Sequence, residues 1–175
     1  SYLANGSIVR QGLDPYSAGP VELLGVDQHL ARSVPFIWAH SPSPYGPVAL
    51  GIAGAISSLT GDSIFWGVLY HRVVSVAGII AAAWGIAALA RRCGVAVPAA
   101  LWLGVLNPLT VLHLVGGIHN EAVMMGFVLV GFEVGLRGID ALPRTRGWVL
   151  VAASGVLLSC AGLVKVSGFV GLGFT

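Results

Sequence analysis

The chain has 175 residues, of which 56% are hydrophobic and only 9% charged, with a net charge of +2 and a mean hydropathy of +0.88. Average soluble domains carry roughly 25% charged residues, so this composition excludes an ordinary water-soluble fold. Nothing in it points to nucleic acid, and it contains no Gly-rich phosphate loop, zinc motif or Ser/His/Asp signature.

Taken in chain order, residues 1–63 differ from the rest. Asp14, Glu22, Asp27, Arg10, Arg32, His29 and His40 fall there, with turn-rich runs at Asp14-Pro15-Tyr16 and Ser41 to Pro47 that resist long helices. Tyr16, Phe36, Trp38 and Tyr45 are amphipathic aromatics suited to a membrane interface. The reading is a long, ordered loop lying on the bilayer. It closes with Val48 to Thr60, apolar but short, which is expected as an interfacial or re-entrant helix because a bilayer core needs about 20 apolar residues.

Residues 64–175 are expected to form a transmembrane bundle of about four helices. The candidate spans are Ile64 to Ala90, Val95 to Ile118, Ala122 to Leu136 and Trp148 to Val166. Asn107-Pro108 should kink the second, with the Asn side chain satisfying freed backbone groups. Scattered glycines suit close helix packing in lipid. The fold class is therefore all-α, a polytopic integral membrane bundle with a long external loop carrying interfacial helices. The chain reads as a piece of a larger membrane domain.

Charge placement orients this bundle. Five of the nine Lys/Arg residues fall in two short connections, Arg91-Arg92 and then Arg137, Arg144 and Arg146. Two helices separate those connections, so they share a side, and cationic short loops stay in the cytoplasm. Residues 137–147 are then cytoplasmic. Residues 1–63 and the turn at His119-Asn120-Glu121 are external, in a multi-pass plasma-membrane protein. Cys93 and Cys160 have no metal-ligand spacing and cannot pair in this topology, so they read as small packing residues.

The polar residues near the external side are the functional candidates. Glu121 can cap the following helix, with Asn120 as its N-cap, or it can bind substrate and move a proton, as ionisable groups at membrane depth often do. His119 at the water boundary can contact substrate. His113, six residues earlier, does not share a helical face with it, and no metal pair is expected. Arg72 either snorkels or pairs with an anion such as a lipid phosphate. Lys165 is either an interface anchor or a phosphate partner, and it falls on the side opposite the basic loops. Glu133 and Arg137, spaced i,i+4, should form an ion pair.

Gly12 to Tyr16, Ser43 to Pro47, Arg72, Asn107-Pro108 and Gly117 to Glu121 come in an order that resembles the GT-C glycosyltransferases that use polyprenyl-phosphate sugars. The likeness is nearest to the actinobacterial α-1,6-mannosyltransferases that build the mannan core of lipomannan, and it spans nearly all 175 residues. It implies polyprenyl-phosphate-mannose as donor and a glycan or glycolipid hydroxyl as acceptor, in an inverting transfer at the external membrane face. No cofactor is indicated beyond that donor, and a divalent metal is left open. Glu121 maps onto the acidic motif of the second external loop. The principal catalytic Asp of the first loop is expected upstream of Ser1, which would leave this piece inactive alone. Asp14 lies in the right loop but reads as part of the Asp-Pro-Tyr turn. His119, Asn120, Arg72, Lys165, Tyr16 and Tyr45 are the expected substrate contacts. The rival readings are a transporter or flippase of a lipid-linked saccharide, without chemistry, and a structural membrane subunit.

Overall fold

The structure is a computed structural model, and residues 1–174 are described, with the side chains of 1–173. Among them every regular element is helical. The chain divides into two compact units, Ser1–His71 and Arg72–Thr175.

The first unit holds α1 (Tyr2–Arg10), α2 (Pro20–Leu24), α3 (His29–Arg32), α4 (Phe36–Ala39), α5 (Pro47–Thr60) and the start of α6 (Ile64–Arg92). Proline and glycine set the boundaries. Pro20 and Pro47 open α2 and α5 in the first turn, where a missing N–H costs nothing. Gly61, with φ 58°, ends α5. The helices α2 to α4 are only four or five residues long, as the turn-rich sequence requires. The nine-residue α1 precedes the first of those turn-rich runs. It packs tightly on α5, and a Cβ on Gly6 would collide with the carbonyl of Ala53. Ala4, Leu30, Val34 and Ala39 form the core of this unit. At 14 residues, α5 is about 21 Å long, short of a bilayer core of about 30 Å.

One polar network ties this unit together. Arg10 donates from Nη2 to Oδ1 of Asp62 (2.8 Å) and from Nε to Oγ of Ser57 (3.1 Å). Ser7 donates to the same Asp62 oxygen (3.0 Å), and His29 Nε2 meets the Asp62 carbonyl (2.7 Å). Asp62 gathers partners 55 and 52 positions away, contacts that leave no local trace in the sequence.

The second unit contains the rest of α6, α7 (Val97–Gly104), a π-helical turn over Thr110–Gly116, α8 (Glu121–Asp140), α9 (Thr145–Val164) and a 3-10 segment over Val166–Phe174. Among the described residues, α6, α8 and α9 are long and apolar enough to cross a membrane. The stretch Val95 to Ile118, expected as one kinked span, is divided instead. Pro108 removes a donor, and Asn107 closes the gap: its Nδ2 donates to the Leu103 carbonyl (2.8 Å) and its Oδ1 accepts from Thr110 N (2.9 Å). The chain resumes only as the wider π-helical turn.

Glycines set the helix contacts. Gly131 meets Leu158, Gly135 meets Ser154, and Gly138 meets Val151 and Gly147, so α8 and α9 run antiparallel across a short turn. On another face of α8, Ala122 and Gly126 meet Gly78, and Leu129 meets Gly85, so α6 and α8 run parallel. Only 33%, 28% and 33% of the apolar windows of α6, α8 and α9 are buried. The remaining apolar surface requires a nonaqueous surrounding, and the chain is a membrane protein.

At one end of α8, Glu133 accepts from Arg137 Nε (2.7 Å) and from Arg92 Nε (2.9 Å), while Arg92 Nη1 also reaches Asp140 (2.7 Å). The i,i+4 pair read from sequence is present, and Arg92 extends it. This network brings the two basic connections to the same end of the bundle.

Candidate functional site

The other end of α8 carries a polar cluster. Glu121 is the first residue of the helix, and Lys165 terminates α9 with extended backbone (φ −151°, ψ 135°). Because α8 and α9 are antiparallel, these two positions meet. Lys165 Nζ donates to Glu121 Oε1 at 2.5 Å, with side chains 43% and 25% exposed. His119 Nδ1 lies 3.6 Å from the other Glu121 oxygen.

His113 joins from the π-helical turn. Its ring stacks on His119 with centroids 4.0 Å apart and planes 18° apart. The expectation that these two residues diverge holds for an α-helical path and fails here for two reasons. The π-helical turn is wider than an α-turn. Ile118 then adopts φ 57°. His119 N donates to the Leu114 carbonyl (3.1 Å) and Ile118 N to Val115 (3.3 Å), the paired bonds of a Schellman ending. That motif usually places Gly at the left-handed position. Here a β-branched Ile occupies it, a strained choice, and it folds His119 back over His113. Gly117 permits the return, since a Cβ there would lie 2.8 Å from the His119 ring.

Asn120 sits at the N-cap position without a side-chain cap hydrogen bond, so the simple capping role is not the one its amide plays. Arg72 is exposed and makes no ion pair among the described residues. The structure therefore brings together Glu121, Lys165 and His119 from the expected set and adds His113.

The remaining candidates belong to the first unit. Asp14 Oδ1 accepts from Tyr16 N (2.9 Å), the turn role foreseen for an Asp-Pro pair. Tyr16 donates its hydroxyl to the Tyr45 carbonyl (2.8 Å), and Ser43 N donates to the Pro15 carbonyl (2.8 Å), so the two turn motifs are stitched together. Desolvation, and then the Asp14 charge, push the Tyr16 hydroxyl above the ordinary tyrosine range. It stays a protonated donor at neutral pH and is not a base. The Glu22 carboxyl is held below the usual range by its hydrogen bond with His40.

Residues 1–175 match the family described as alpha-(1->6)-mannopyranosyltransferase, N-terminal domain. The chain belongs to that family. It is 63% identical to alpha-(1->6)-mannopyranosyltransferase B of Corynebacterium glutamicum, over 99% of this chain and 29% of that protein. It is 44% identical to a probable alpha-(1->6)-mannopyranosyltransferase of Mycolicibacterium smegmatis, over 99% of this chain and 34% of the relative. Alpha-(1->6)-mannopyranosyltransferase A of Mycobacterium tuberculosis is 34% identical over 93% of this chain and 30% of its own length. The chain thus spans about a third or less of the length of these curated relatives. No solved structure matches it.

Proposed function

We propose that this chain forms part of a GT-C mannosyltransferase. It would move mannose from polyprenyl-phosphate-mannose to a glycan or glycolipid hydroxyl at the external membrane face. Family membership supports the sugar and the reaction class. The observation that carries the site is the Lys165–Glu121 ion pair beside His119. An acceptor oxygen attacks C1 of the mannosyl unit as the C1–O bond to phosphate breaks, with inversion. The acceptor proton passes to a carboxylate, and the polyprenyl phosphate leaves as an anion.

Glu121 held by Lys165 is a poor base in the resting cluster. A donor phosphate competes for the same ammonium, and its arrival releases the carboxylate for the acceptor hydroxyl. Glu121 then positions substrate first and takes a proton second, with the principal base assigned to chain beyond these residues. His119 and Asn120 bind the sugar, and Arg72 supplies a second cation; Tyr16 and Tyr45 are the first unit's own candidates for substrate contact. Asp14 keeps its turn role. Residues 1–63 form the external loop, and Arg91-Arg92 and 137–147 lie in the cytoplasm.

The test is transfer in membranes carrying the full-length protein. Glu121→Gln should lower turnover by about 10²-fold at unchanged expression, and Lys165→Gln should raise the donor KM. Normal kinetics in both variants would return Glu121 to helix capping and Lys165 to an interface anchor. A saccharide carrier without chemistry would show donor binding but no glycosidic product in the wild type.

A further inference from the structure

A second polar site lies at the far end of α8, about 24 Å along the helix from Glu121 by residue count. The turn between α8 and α9 borders an open surface cleft of about 510 Å³ lined by Arg137, Asp140, Ala141, Arg144, Arg146 and Leu150. Three of its lining residues are arginines and one, Asp140, is a carboxylate. That carboxylate is already engaged by Arg92 at 2.7 Å. Arg137 commits its Nε to Glu133. Arg144 and Arg146 are exposed and form no ion pair among the described residues. Like charges gathered around an open cleft repel unless an anion sits between them, and the planar guanidinium is suited to a phosphate oxyanion.

We infer that this arginine-lined cleft binds the phosphate of an anionic phospholipid headgroup. The surrounding residues favour a lipid over a free anion. Trp148, Val149 and Ile139, on the same two helix ends, are 62%, 62% and 57% exposed. They offer exposed apolar surface for acyl chains close in sequence to the arginines, and tryptophan is a residue that favours the membrane interface. The opening turn of α9 also lacks a side-chain cap at Arg144, leaving backbone N–H groups to add to the arginine field. The site needs only the membrane setting and is independent of the transfer reaction.

The experiment uses full-length protein in nanodiscs of phosphatidylcholine, with or without phosphatidylglycerol, and in detergent with inorganic phosphate. The readouts are lipid retained by native mass spectrometry and the thermal midpoint. The wild type should retain phosphatidylglycerol selectively and gain stability from it. Arg144→Gln with Arg146→Gln should weaken that retention roughly tenfold or more. Arg32→Gln, a cation removed from the first unit, should keep it. Equal retention of the two lipids by the wild type overturns the inference, and so does selectivity that survives the Arg144/Arg146 change. Stabilisation by inorganic phosphate equal to that by phosphatidylglycerol would make this a free-anion site and overturn the lipid assignment. The wild-type comparison decides even where the double variant does not fold.

Discussion

Ile118 concentrates the physics of the polar cluster in one backbone angle. A left-handed conformation costs an L-residue roughly 1–2 kcal/mol, more for a β-branched one, yet the neighbouring glycines at 116 and 117 do not take that position. Strain of this kind persists where the surroundings over-determine it, and it gathers at functional sites. Here its product is the stack of His119 on His113 and the aim of His119 at Glu121. Ile118→Gly should therefore remove strain and leave the thermal midpoint level or higher, while transfer falls because the turn loosens. Transfer that stays intact in that variant would detach the turn from function. The sequence made His119-Asn120-Glu121 visible, because three polar residues between apolar runs stand out in a membrane chain. The stacking partner His113 was invisible to it, since a spacing of six suggests separation unless the π-helical turn and the positive φ are known.

At the scale of elements, α8 works as a two-sided spacer. Gly131, Gly135 and Gly138 let α9 approach, while Gly126 faces Gly78 of α6. A Cβ on Gly135 would stand 2.7 Å from Ser154 Oγ, and Ser154 is committed to the Gly131 carbonyl at 2.8 Å. Gly135→Leu should thus cost about 1–3 kcal/mol through overpacking and lower the thermal midpoint in detergent. Gly155 on α9 has open space around its Cβ position, so Gly155→Leu should leave the midpoint nearly unchanged. Equal losses at both sites would mean that helix approach is not what these glycines provide. Spans α6, α8 and α9 were legible as apolar runs, and the Glu133–Arg137 pair as a spacing. Arg92, 41 positions from Glu133, was not, because a long-range ion pair has no sequence period. The division at Asn107-Pro108 was legible as a disturbance; that it splits the helix rather than bending it depends on how the Asn side chain recloses the backbone.

For the whole molecule, the bundle links the orientation of all its polar groups. Arg92 bridges Glu133 and Asp140, so Arg91-Arg92 and the 137–147 turn share one end of α8, while Glu121 and Lys165 share the other. Parallel α6 and α8, with the divided α7 region returning between them, obey the same alternation. Assigning one end to a membrane side therefore assigns all of these residues. The count of cations favours the arginine end in the cytoplasm, which would place the Lys165–Glu121 pair outside with the donor lipid. In a Cys93→Ser background, a cysteine at Ala141 should resist an impermeant thiol reagent in intact cells and react after permeabilisation. A cysteine at Ser41 should react in both. The native Cys93, exposed beside Arg92, provides an independent probe of the first basic connection and should behave like position 141. Labelling at 141 in intact cells would turn the bundle over. The glutamate–lysine pair would then face the cytoplasm, and the external transfer proposed for it would lose its site even if the cluster itself were intact.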